Sequence, residues 1–92
     1  MDLTIIIVNY NTKKDLEICI DSIGKTKGDL DLQIIVVDNR SMDGSPAMIE
    51  QQYPHVELIA NRDNLGFAAA NNQGIRRAKG RYILLLNPDT IV

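Results

Sequence analysis

The chain has a single cysteine, Cys19, and a single histidine, His55. One cysteine excludes an internal disulfide, so the composition fits a reducing compartment. Cys19 sits between Ile18 and Ile20 in a helical pattern and reads as a structural thiol. A histidine with no cysteine or histidine partner is not expected to bind a metal, and His55 is assigned to the surface or to helix–sheet packing. No apolar run approaches the roughly 18 residues needed to span a bilayer. No basic segment precedes the first apolar run, so no signal peptide is expected, and the cytoplasm is the expected compartment. Charge of one sign is also lacking: 10 Lys and Arg stand against 12 Asp and Glu, for a net charge of −2. That balance excludes a nucleic-acid footprint and a polybasic membrane anchor. Repeats, low-complexity stretches and linkers are absent, which leaves one domain over residues 1–92.

Two alternating patterns make up the chain. Short continuous apolar runs lie at Leu3–Val8, Leu32–Val37, Val56–Ala60 and Tyr82–Leu86. Continuous rather than alternating runs predict strands covered on both faces, as in a parallel sheet. Helical patterns lie between them. Thr12 and Asp15 resemble a capping box ahead of Leu16, Ile20 and Ile23, with Gly24 and Gly28 ending that helix or opening the loop. Ser45-Pro46 predicts an N-cap and first helical position for a short second helix that Pro54 terminates. A third, alanine-rich helix is expected from about Gly66 to Ala78, with Gly80 as its C-cap. The order β-α-β-α-β-α-β predicts a three-layer α/β sandwich around a mostly parallel sheet.

Ligands of open parallel sheets bind outside the carboxyl ends of the strands. The residues there are Asn9-Tyr10-Asn11, Asp38-Asn39-Arg40-Ser41, Asn61-Arg62-Asp63-Asn64 and Asn87-Pro88-Asp89-Thr90. Such residues also make ordinary turns, so position alone leaves both readings open. Tyr10 could stack on a flat base or cover the sheet edge, and Asn11 could orient that base. Asp38 could accept a hydrogen bond from the N3–H of uracil or thymine or from a ribose hydroxyl, or close its own Asx-turn. Ser41, Asp43 and Gly44 are expected to build the turn into the second helix. Gly66 could admit a ligand at a helix N-terminus or serve packing. Arg76, Arg77, Lys79 and Arg81 read as a solvated helix end favoured by the macrodipole.

Four stretches resemble the motifs of family 2 glycosyltransferases of the GT-A fold. They are Thr4–Asn11, Val36–Ser45, Asn64–Ile75 and Leu84–Thr90, in the family's order and spacing. Asn87-Pro88-Asp89 is similar to the Asn-Pro-Asp variant of the Asp-x-Asp motif found in rhamnosyltransferase-like members. Two positions depart from the pattern: Asn9 stands where proline is frequent, and Asn71 where arginine is frequent.

The resemblance implies the donor-binding half of an inverting enzyme, taking a UDP- or dTDP-linked sugar to a hydroxyl acceptor that could be membrane-associated. It implies nucleotide-sugar contacts from Tyr10, Asn11, Asp38, Gly66, Asn87 and Asp89. Asp89 is the expected ligand of Mg²⁺ or Mn²⁺, with Asn87 offering a neutral oxygen. The general base is expected beyond residue 92, so the chain alone is expected not to turn over. A sheet edge left open at the fourth strand would favour self-association. Three other readings compete. A nucleotidyltransferase would want a Gly-rich basic loop after strand 1. A dinucleotide-binding domain would want G-x-G-x-x-G there, and neither motif is present. A non-catalytic binding or interaction module is the third.

Overall fold

The computed structural model describes all of residues 1–92. Its elements are β1 (Leu3–Asn9), α1 (Lys13–Thr26), β2 (Leu32–Asp38), α2 (Ser45–Gln52), β3 (Glu57–Ala60), α3 (Phe67–Arg77) and β4 (Tyr82–Leu86). The four strands form one sheet in the order β3-β2-β1-β4, every neighbour parallel. The expected strands are all present, and β1 and β2 each run one residue further, onto Asn9 and Asp38.

Burial follows strand parity, because successive side chains point to opposite faces. On one face Ile5, Ile7, Ile34 and Val36 pack with Leu16, Cys19, Ile20 and Ile23 of α1 and with Met48 and Ile49 of α2. On the other, Ile6, Val8, Ile35 and Val37 pack with Ala70 of α3. The result is the three-layer sandwich, with helices on both faces as continuous apolar strands require.

The α3 layer lies unusually close to the sheet. A Cβ on Gly74 would come within 2.6 Å of the Ile6 side chain, and one on Gly80 within 2.5 Å of the Thr4 backbone nitrogen. Gly80 is therefore not the helix C-cap. Ala78 caps α3, and Gly80 is fixed by its contact with β1. A buried polar network secures this layer. Gln33 Oε1 accepts from the Thr4 hydroxyl and the Lys79 N–H, both at 2.7 Å, while the Gly80 N–H donates to Thr4 Oγ1 at 2.9 Å. Gln33 Nε2 donates to Glu57 and to the Arg77 carbonyl. Every buried side-chain polar atom has a partner, as a stable interior demands.

The helix ends depart from expectation in three further places. α1 continues through Gly24 to Thr26, because Ile23 is still buried and its carbonyl accepts the Lys27 N–H. Thr12 is the N-cap of α1 but makes no side-chain cap bond; its hydroxyl turns back to Asn9 Oδ1 at 2.6 Å. Gly44, in the left-handed region at φ 86°, caps α2, which shifts Ser45-Pro46 one position into the helix.

β4 is an edge strand. Tyr82 is 67% exposed, and Ile83, Leu84 and Leu85 are exposed on both faces. No helix of the chain is long and apolar enough to cross a membrane.

Candidate functional site

Parallel register brings the strand tips to one edge. Asn9 lies opposite Asp38, and Asp38 opposite Ala60. Ile7 pairs with Leu86, so the 87–90 turn leaves the sheet beside the end of β1. The four polar segments singled out in the sequence therefore share the carboxyl edge.

Beyond that edge the β1 and β2 loops are bonded into one unit, centred on Ser41. Its hydroxyl donates to Asp38 Oδ1 at 2.7 Å, and accepts the Asn11 backbone N–H at 2.8 Å and Asn9 Nδ2 at 3.2 Å. The Ser41 N–H donates to Asp38 Oδ2 at 2.8 Å, and Asn9 Nδ2 donates to Asp38 Oδ1 at 2.9 Å. Asn11 adopts a left-handed backbone at φ 53°, a conformation asparagine tolerates better than most residues. There its Oδ1 accepts the Met42 N–H at 2.7 Å. Asp38 is 1% exposed, so in this structure its carboxylate closes its own loop, the Asx-turn alternative. Tyr10, one residue past the strand, is 52% exposed at the lip of the same unit.

Asp43 ties this unit to two helices. Its Oδ2 accepts the Lys13 N–H of α1 at 2.9 Å, while Oδ1 accepts the N–H and hydroxyl of Ser45 in α2. Burial alone would raise its pKa. The hydrogen bonds from Ser45 and Lys13 outweigh that and hold the carboxyl below the usual range. One carboxylate thus caps both helix N-termini, where the dipoles favour negative charge.

A second network reaches α3. Asn39 Nδ2 donates to the Gly66 carbonyl at 3.1 Å, and Asn39 Oδ1 accepts from Asn61 at 3.0 Å. Asn61 and Gln73 exchange a reciprocal amide pair at 2.8 and 2.9 Å. Gly66 has φ 84° and ψ 171°, a region essentially restricted to glycine, and nothing lies within 4 Å of its missing Cβ. Backbone geometry rather than close packing selects glycine there. Its N–H is held by Asn64 Oδ1 at 2.9 Å.

Asn87 and Asp89 are exposed beyond β4, in a turn closed by the Thr90 N–H on the Asn87 carbonyl at 3.0 Å. The tail then folds back toward α1, and the Val92 N–H donates to Ser22 Oγ at 3.1 Å. Burial pushes the Cys19 thiol up, and the nearby charge of Asp89 adds to the effect. No three His, Cys, Asp or Glu side chains gather anywhere in a metal-binding group.

Of the expected site residues, the structure joins Asn11 and Asp38 through Ser41, with Tyr10 exposed beside Asn11 in the chain, and links Gly66 to that unit through Asn39. Asn87 and Asp89 make no hydrogen bond to it. None of the six lines any of the principal cavities, and none of those cavities joins Asp38 to Asp89. Sequence reasoning assigns no role to the side chains of Asn9, Asn39, Asn61 and Gln73. Asn9 and Asn39 are buried where apolar runs end, and that is the signal that could have found them.

An open parallel sheet with helices on both faces and its polar motifs at the carboxyl edge defines a protein of the doubly wound α/β class. Residues 4–92 match the family described as Glycosyl transferase family 2. The chain belongs to that family. It is 36% identical over 95 residues to the minor teichoic acid biosynthesis protein GgaB of Bacillus subtilis, covering 99% of this chain and 11% of that one. The crystal structure of S. aureus TarS 1-349 in complex with UDP superposes with a TM-score of 0.85 at 22% identity, over 97% of this chain and 28% of that one. This likeness shows the GT-A fold. The mannosyltransferase PcManGT from Pyrobaculum calidifontis, in complex with GDP-Man and Mn²⁺, gives 0.82 at 27% identity, over 95% of this chain and 27% of that one. The chain thus spans between about a tenth and just over a quarter of these relatives. The rhamnosyltransferase-like subclass is finer than this assignment.

Proposed function

We propose that residues 1–92 supply the donor-binding portion of an inverting glycosyltransferase that takes a sugar from a nucleoside diphosphate to a hydroxyl acceptor. The observation that carries this reading is the convergence of the four family motifs on one sheet edge, with the β1 and β2 loops locked together there. In this reading Tyr10 stacks on a uracil or thymine base. Asp38 accepts from the base and Asn11 orients it. The open space before Gly66 admits the diphosphate. The UDP complex of TarS supports a nucleoside diphosphate as ligand.

The residues present also fit a divalent cation that arrives with the donor. Asp89 is an exposed carboxylate with no cation partner, and Asn87 is exposed two residues before it. With no group of three such side chains gathered around Asp89, the diphosphate and water would have to complete the shell, so affinity without donor is weak. A bound Mg²⁺ or Mn²⁺ neutralises charge on the departing diphosphate. The Mn²⁺ complex of the archaeal mannosyltransferase supports this choice. A rhamnosyltransferase-like subclass, a membrane-associated acceptor and a cytoplasmic setting at the inner face of the membrane belong to the same proposal. None of the 92 residues is proposed as the general base.

Calorimetric titration of the chain with UDP- and dTDP-sugars, with and without Mn²⁺, tests this reading. Saturable heat that grows with Mn²⁺ is expected. A flat titration with both donors would favour the non-catalytic interaction module.

A further inference from the structure

The amino end of the sheet, opposite the polar motifs, carries a cavity of about 230 Å³ between the last turns of α1 and the start of β2. It is the most enclosed of the five principal cavities. Ile20, Ile23, Leu32 and Ile34 wall it. Gly24 lines it from within α1. Glycine inside a helix is destabilising relative to alanine, and no atom within 4 Å of a Cβ at Gly24 requires its absence. The space left by the missing side chain opens into the cavity.

The rim is charged. Asp31 pairs with the N-terminal ammonium at 3.7 Å, whereas Lys27 forms no ion pair and donates only to the Leu30 carbonyl, at 3.5 Å. His55 stands beside it, its ring edge-on to Tyr53 at 6.3 Å. Apolar walls thus end at one cation that no carboxylate of the chain offsets.

We propose that this cavity binds a small carboxylate with an apolar body of about one ring's size. The volume exceeds the roughly 150 Å³ in which an apolar cavity holds benzene, and falls below the roughly 300–1,000 Å³ of sites for drug-sized ligands. The ring displaces water from the isoleucine walls. The carboxylate accepts a charge-assisted hydrogen bond from Lys27 Nζ, with the His55 ring as a second donor. The site is separate from the donor edge and does not depend on the donor reading.

The test is amide chemical-shift titration of the isotope-labelled 92-residue chain with benzoate and with benzyl alcohol, its neutral analogue. Benzoate is expected to give saturable shifts at Ile20, Ile23, Gly24 and Ile34 with a Kd of about a millimolar, and benzyl alcohol to bind about tenfold or more weakly. Lys27→Gln should reduce benzoate affinity to that of the alcohol. Gly24→Leu fills the cavity from an exposed helix position and should abolish the shifts with both probes. Thermal melts establish that each variant is folded. If Gly24→Leu is not, the benzoate-to-alcohol ratio and Lys27→Gln decide. The proposal is overturned by the absence of saturable shifts at tens of millimolar benzoate or by equal affinity for the two probes. Unchanged benzoate binding in folded Gly24→Leu or Lys27→Gln overturns it too.

Discussion

Asn9 and Asp38 face each other at the same level of β1 and β2, and the Asn9 amide donates to the Asp38 carboxylate across 2.9 Å of buried space. Neither side chain is accessible to water beyond 1%. A family position where proline is frequent therefore carries, in this chain, the donor that steadies its neighbour's buried charge. Proline could not supply that bond, so the β1 loop is held here by side-chain hydrogen bonds rather than by a fixed φ.

Removing that amide should be costly. Asn9→Ala deprives Asp38 of a donor and Thr12 of an acceptor in a site that water does not reach. A loss of about 1–3 kcal/mol is expected. Urea unfolding followed by circular dichroism reads it directly. A change within about 0.5 kcal/mol, the range of ordinary surface substitutions, would speak against a structural role for the pair.

Asp43 links stability to acid pH. Its folded pKa lies below the ordinary carboxylate value. A depressed folded pKa contributes stability that is complete above the unfolded value and is lost as pH falls through the folded one. Asp43→Asn should lower the melting temperature at neutral pH and flatten its decline at acid pH. Melting curves at a series of pH values from neutral downward check both signs. A variant that keeps the full acid decline would show that other carboxylates carry it.

Three glycines should separate by mechanism. Gly74→Ala drives a methyl into the buried Ile6 side chain, and Gly80→Ala drives one into β1 backbone. Each should destabilise by about 1–3 kcal/mol. Gly24 lies inside α1, and a methyl group added there would meet nothing within 4 Å. Gly24→Ala should therefore stabilise by about 0.5–1 kcal/mol. Chemical denaturation of the three variants gives the order. Loss of stability in Gly24→Ala, or none in Gly80→Ala, would contradict the packing described for α1 or α3.

These glycines also mark how much of the molecule is legible in its sequence. The strands are legible because each is a continuous Ile, Val and Leu run, and β4 occupies the expected residues 82–86. The helix ends are not, because their caps come from distant parts of the chain. Lys13 is capped by Asp43, 30 residues away, rather than by the local Thr12–Asp15 pair. Gly80 resembles a helix cap because its true partner, Thr4, is 76 residues away. At the site, motif spacing identifies Asp38, Asn11 and Gly66, but spacing carries no hydrogen-bond directions. It cannot tell that Ser41 joins two loops or that Asp38 is nearly saturated.

The open edge of β4 supplies a fourth expectation. Unpaired strand edges with apolar faces invite pairing, and a charge on the edge opposes it. We expect the chain to self-associate along β4, with Leu84→Lys shifting it toward monomer. Light scattering across a concentration series measures this. A monomer at every concentration for the wild type would remove the self-association proposal without touching the site.

Whether the carboxyl edge of the sheet receives a nucleoside diphosphate is tested most directly by amide chemical-shift mapping of the isotope-labelled chain with UDP and Mg²⁺. The expected result is a saturable set of shifts confined to Tyr10, Asn11, residues 38–42, Gly66 and Asp89. Shifts confined to the opposite end of the sheet, around Leu3, Leu32 and Tyr82, or no shifts at millimolar UDP, would contradict it.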